Sequence, residues 1–188
     1  FLKEHGPSVF ARKDPFRWPP EPLPAPYWPS WPGVLYQNMV QRVIPYSIRG
    51  VLWYQGENNV NDSENYDILF ALLVSAWRRA WGDGLPFLTV QLAPFGYGSP
   101  EVYPQMVERQ IAASRRIPGV AMITTSDLGE CDNIHPLKKQ PMAQRLFLAA
   151  ESQVYHKSVE YSGPIYREAR RIGEKVELHF DHADSGLV

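Results

Sequence analysis

Two short runs hold side chains that acyl chemistry can use: Trp53-Tyr54-Gln55-Gly56-Glu57-Asn58-Asn59 and Asp132-Asn133-Ile134-His135-Pro136. In the second run Asp132 and His135 stand three residues apart, so on a turn or a first helical turn both side chains can point the same way. A carboxylate so placed fixes the tautomer of an imidazole and stabilises its protonated form, which makes His135 a candidate general base and acid. An ordinary helix start, with Asp or Asn capping and Pro in the first turn, would account for the same residues. The pair gains its meaning only beside the first run.

In that first run Glu57 is the second candidate for orienting His135; its other task would be to hydrogen-bond a substrate and hold the loops. Gln55 carries amide N–H groups able to donate to an oxyanion as a carbonyl carbon becomes tetrahedral, a contact worth roughly 2.7–4 kcal/mol of barrier. Asn58 carries the same group, and which amide serves stays open. Trp53, Gly56, Asn59 and Gln91 complete the candidate oxyanion- and substrate-binding set. Each run follows a β-rich stretch, Ile48–Leu52 for the first and Val120–Thr125 for the second, where α/β folds place catalytic groups on loops at strand ends.

Gly50–Asn59, Trp77–Trp81, Pro86–Leu92 and Asp127–Ala150 together resemble the sialate O-acetylesterase family of SGNH-type hydrolases. The family pattern runs Arg/Lys-Gly-Val-x-Trp-Tyr-Gln-Gly-Glu-Ser-Asn, with Asn58 here where Ser is usual. Gly56-Glu57-Asn58-Asn59 can also be laid over the Gly-x-Asn-Asp motif that supplies an oxyanion amide in SGNH hydrolases. The resemblance implies removal of an acetyl group from a sugar hydroxyl by a serine nucleophile, a histidine base and an acidic partner, with no cofactor. It admits O-acetylated sialic acid or acetylated xylan as substrate, and favours a secreted, periplasmic or lysosomal location.

The serine that such chemistry needs, in a Gly-Gln-Ser or Gly-Asp-Ser turn after the first strand, is missing from the sequence. Ser8, Ser99 and Ser126 lie in other contexts, and Ser126 is the nearest substitute. The glycine block expected to complete the oxyanion hole would also lie upstream. The chain starts at Phe1 without an initiator Met or signal peptide, so the expectation is a portion of a longer polypeptide. A second polypeptide or a missing N-terminal segment would then carry the nucleophile. Cys131, four residues before His135, is a competing nucleophile; a residue so close in sequence would need an unusual loop to aim its sulfur at a bound acetyl group.

At 188 residues and 44% apolar content the chain can bury one sizeable core, which excludes a disordered protein. A net charge of −1 offers no basic face to follow phosphates, which argues against nucleic acid or a membrane surface as partner. No apolar stretch approaches the about 18 residues that span a bilayer. One cysteine forms no internal disulfide and leaves the compartment open. Six Trp and ten Tyr include rings that could stack on a pyranose, though most belong to the core.

The elements that must position these residues follow along the chain. Residues 1–33 form a Pro-rich extended segment in which Asp14–Pro32 can be neither helix nor central strand. A loop lying over the domain fits it better than a polyproline ligand. Residues 34–158 read as an α/β unit without its nucleophile strand. Val34, Leu35, Met39 and Val43 have helical spacing, followed by a strand over Ile48–Tyr54. A helix over Glu64–Trp81, capped from Asn61, Asp62 or Ser63, carries Leu69, Phe70, Leu73 and Trp77 on one face and ends at Gly82. Strands over Pro86–Leu92 and Val120–Thr125 alternate with helices over Pro104–Arg116 and Leu137–Tyr155.

The pattern predicts a three-layer, SGNH- or flavodoxin-like fold, a mostly parallel sheet with helices on both faces. Residues 159–188 start a small β element, with alternation in Lys175–Phe180 marking a hairpin. His179, Asp181, His182 and Asp184 are split between its faces, so no metal site is expected. The reading from another functional class is a carbohydrate-binding protein that keeps the fold and cleft without chemistry.

Overall fold

A computed structural model describes residues 32–44, 46–184 and 186. The Pro-rich segment expected over residues 1–33 therefore lies almost wholly outside the described residues, as does Ser8. Three parallel strands form the main sheet in the order β1 (Val51–Trp53), β2 (Phe87–Val90), β3 (Val120–Ile123). All four residues of β2 are buried, as expected of an apolar run flanked by strands on both edges and helices on both faces.

Helices α1 (Tyr66–Trp81) and α2 (Val102–Arg116) make the two crossovers and pack on one face. Phe70 of α1 meets Phe87 of β2 edge-on at 6.1 Å between ring centroids, and Met106 and Ala113 of α2 join the same cluster. Helix α3 (Lys139–Gln153) covers the other face, where Ala149, Met142, Leu146 and Ala150 pack on Leu88, Val90, Ala121 and Ile123. The chain is thus a three-layer α/β structure, and the spacing read for the last helix places the residues expected to face the core.

Several boundaries differ for local reasons. The Glu57–Asn65 stretch is 3-10 helical with a break at Asp62 and runs into α1, and the Tyr66 N–H bonds back to the Ser63 carbonyl, so no side-chain cap is needed at Asn65. Leu69 is 37% exposed and does not share the buried stripe of Tyr66, Phe70 and Val74; it lies at the flank of α1 near Trp53, Gln55 and Asn59. Val34–Val43 is helical as expected, with a π segment at Tyr36–Val40 and a 3-10 turn at Gln41–Val43, but Leu35, Met39 and Val43 stay exposed. Gly82 ends α1 as predicted, at φ 113°, with its N–H on the Arg78 carbonyl. Arg78 also donates to Leu85 O and Pro118 O, tying together the turns that lead into β2 and β3.

After α3 the chain forms the antiparallel hairpin β4 (Ile165–Ile172) and β5 (Lys175–Asp181), with a bulge between Tyr166 and Glu168. Within and beside it Asp181 pairs with Arg167, and His182 with Glu160. Among the described residues no helix is long and apolar enough to cross a membrane.

Candidate active site

Gln55 to Asn59 turn away from the carboxyl end of β1, and their backbone is held from α1 and α2. The Gln55 carbonyl accepts from the Tyr66 hydroxyl at 3.1 Å and from Gln110 Nε2 at 3.4 Å. The Gln110 side chain also accepts the Leu92 N–H at 2.8 Å, so one buried amide on α2 bridges the loops after β1 and β2. A Cβ at Gly56 would stand 2.7 Å from Met106 Cε, so a larger residue there would have to displace the tip of that buried side chain. Gln55 Nε2 donates to Asn59 Oδ1 at 2.7 Å, which fixes both amides while leaving further N–H groups of each to face a ligand. The Glu57 carboxylate accepts the Gly56 N–H at 3.1 Å, and Asn58 is exposed. Trp53 packs toward α1 and α2 with its indole N–H buried, while Tyr54 packs toward α3, as strand alternation requires.

The second run leaves β3. Asp132 and His135 are both exposed, and among the described residues no hydrogen bond or ion pair joins them to each other or either to Glu57. Their turn is shaped by Asn133, whose side chain accepts the His135 N–H at 2.9 Å and donates to the Glu130 carboxylate at 3.3 Å. Cys131 is exposed.

The loop after β2 joins the two runs. Gly96 N donates to Cys131 O at 3.0 Å, and Gly129 lies so close to Pro94 that a Cβ there would be 2.3 Å from its carbonyl oxygen. Tyr97 of this loop stacks near-parallel on Tyr103 of α2 at 6.0 Å. Burial, and then the Glu57 charge, push the Tyr97 and Tyr54 hydroxyls above the usual phenol range. From the far side Lys139 places its ammonium 5.6 Å from the Tyr54 ring centroid. Gln91 is buried at the end of β2 and donates to Ser126 Oγ at 2.8 Å and to the Tyr103 hydroxyl at 3.3 Å. Its partners are thus side chains that line this region, and Ser126 is engaged as their acceptor.

The sequence reading missed Gln110, Tyr97, Tyr103 and Arg145. Gln110 carried a signal: Met106, Gln110 and Ala113 fall at helical spacing on one buried face, and a polar residue at a core position has a bonding task. The aromatic residues on a Gly- and Pro-rich loop carried a weaker one.

The geometry has relatives. A family model described as carbohydrate esterase, sialic acid-specific acetylesterase matches residues 22–147. The chain is 30% identical over 176 residues to a rat sialate O-acetylesterase, covering 81% of this chain and 32% of that protein. It is likewise 30% identical over 171 residues to the human sialate O-acetylesterase, covering 80% and 31%. A crystal structure of a carbohydrate acetylesterase from Xanthomonas citri superposes with a TM-score of 0.73 at 35% identity, covering 78% of this chain and 35% of that one. The chain spans about a third of the length of the curated relatives it matches.

Proposed function

The chain belongs to the sialic acid-specific acetylesterase family of carbohydrate esterases, and from that premise we propose that it supplies the base side of a serine esterase that removes acetyl groups from sugar hydroxyls. The observation that carries the reading is that the loops bearing Gln55–Asn59 and Asp132–His135 leave the carboxyl ends of one parallel sheet and are both tied to the loop after β2, the first through Gln110 and the second through Gly96 and Gly129.

A serine hydroxyl gives its proton to His135 as its oxygen bonds the acetyl carbon. Gln55 or Asn58 donates to the oxyanion. Collapse breaks the bond to the sugar oxygen, which takes the proton from His135, and water then releases acetate by the same sequence. Asp132 or Glu57 orients the imidazole once the site is complete.

The serine comes from outside this sequence, on a second polypeptide or another segment of the same one. Two observations support this. Ser126 is held by Gln91 and Thr124, with no basic side chain among its bonds. The edge of β1 is free among the described strands, so its backbone could pair with a further strand. The substrate is an acetylated sugar or polysaccharide, sialic acid or xylan, and the aromatic side chains beside Glu57 suit a pyranose face.

Carbohydrate binding without chemistry is the second reading, and the missing contact between Asp132 and His135 favours it. Labelling the purified protein with a serine-directed fluorophosphonate, with the adduct located by peptide mass spectrometry, separates the two. An adduct on a second polypeptide or a segment beyond this sequence, together with acetate release lost in His135→Ala, is the expected result. An adduct on Ser126 or another serine of this sequence would overturn the proposed source of the nucleophile. No adduct and no hydrolysis from folded protein would leave the binding reading.

A further inference from the structure

Arg145 sits on α3, and its guanidinium reaches back to the exit of β3. Nη1 donates to the Thr124 carbonyl at 2.8 Å and to Asp127 Oδ1 at 2.7 Å, while Nη2 donates to Asp127 Oδ2 at 2.7 Å. Thr124 and Asp127 open the loop that runs through Asp132 and His135 and ends at Lys139, the first residue of that same helix. The helix that leaves the loop thus grips its entrance. We propose that Arg145 is a positioning residue, which closes the His135 loop into a ring and so fixes where the imidazole stands relative to Gln55 and Glu57.

The alternative is an ordinary surface ion pair. The Asp127 side chain is 59% exposed and that of Arg145 30%, and exposed pairs of this kind add little to global stability. What a planar two-pronged contact adds is geometric: it defines the direction of approach as well as the distance. A third bond to a backbone carbonyl extends that definition to the main chain.

Thr125 and Ser126, between the two residues that Arg145 holds, are gripped from inside. Thr125 Oγ1 donates to the Gln91 carbonyl at 2.6 Å, and Gln91 donates to Ser126. Farther on, Gly129 and Cys131 rest on the Pro94–Gly96 loop. Beyond Cys131 the described hydrogen bonds of the His135 turn are those of Asn133 with Glu130 and His135. His135 therefore inherits its place from the anchors upstream, and Arg145 supplies the first of them.

The inference rests on the esterase reading only for its consequence in catalysis, so its test has a readout that needs no turnover. Amide hydrogen exchange and the His135 ring resonances would be measured on the full chain carrying Arg145→Gln, Arg145→Lys or Asp127→Asn. In Arg145→Gln the amides of residues 126–135 should exchange about tenfold faster while β2 and α1 keep their protection, and the His135 signals should shift or broaden. Arg145→Lys, with one nitrogen in place of a fork, should fall between that variant and the parent. Where hydrolysis is measurable, kcat should drop about tenfold with KM within about twofold.

Unchanged loop exchange and unchanged His135 resonances in a folded variant would overturn the proposal. So would a loss of protection shared equally by β2 and α1, which would mark a structural role alone. Absence of hydrolysis even with the serine-bearing segment present would sink the esterase reading and leave exchange and resonances to decide on Arg145.

Discussion

The Gly96 N–H donates to the Cys131 carbonyl across 3.0 Å, so the loop after the central strand bears the loop that holds His135. Nearby, Gly129 touches Pro94 with no room for a Cβ, which would lie 2.3 Å from a carbonyl oxygen that cannot swing away.

Gly129→Ala should therefore separate these loops. Overpacking of this kind costs about 1–3 kcal/mol, and a urea titration should show it as a lower midpoint with an unchanged slope. A variant as stable as the parent would mean that the loop after β2 is not a rigid support.

Gln110 makes a comparable claim from the other side of the site. Replacing it with Leu leaves the Leu92 N–H buried without its 2.8 Å acceptor, at a cost of about 1–3 kcal/mol. The Gln55 carbonyl keeps its bond from Tyr66. Gln110→Glu keeps an acceptor for Leu92, but ionised it buries a carboxylate against the Gln55 carbonyl, so it should be the milder change only in acid, where the protonated carboxyl also donates to Gln55. Equal losses from Leu and Glu in acid would show that the Leu92 bond is not what the amide contributes.

These side chains mark the limit of what the sequence made legible. Periodicity placed the three strands and three helices because each buries a stripe or a run whose spacing is local, as Phe87–Val90 does. The two motif loops were found for the same reason, since their residues are contiguous. Gln110, Arg145 and Tyr97 act by reaching residues 18 or more positions away or by meeting rings on another element, and no local spacing encodes such a contact. Leu69 failed in the opposite sense. Its position fits a helical stripe, but burial depends on a neighbour at that flank of α1 that the described residues do not provide.

The pair of Asp127 with Arg145 has a pH signature. The hydrogen bonds from Arg145 hold the Asp127 carboxyl below its usual range, so the folded state favours its ionised form. Its stabilising contribution is present above the unfolded-state value, near pH 4, and is lost as pH falls through the lower folded-state value. The carboxylate is mostly exposed, so the contribution is at most about 1 kcal/mol, and nearby Lys138 adds to it slightly. Melting curves of the parent and Asp127→Asn should differ at neutral pH and converge in acid. A gap that persists at pH 2 would have to come from something other than this charge.

His135 and Cys131 allow the chemistry to be tested apart from the fold. Both side chains are exposed, and His135 contributes only its backbone N–H to the bonds of its turn. Removing the imidazole should then change stability by no more than about 0.5 kcal/mol. Acetate release from an acetylated sugar should nevertheless fall by about a thousandfold or more, because the proton from the attacking hydroxyl would have no acceptor. Cys131→Ser preserves the carbonyl that binds Gly96 and should leave the rate within about twofold, since the side chain has no part in that bond. If Cys131→Ser abolished hydrolysis while His135→Ala retained it, the thiol would be the reacting group and the serine reading would fall.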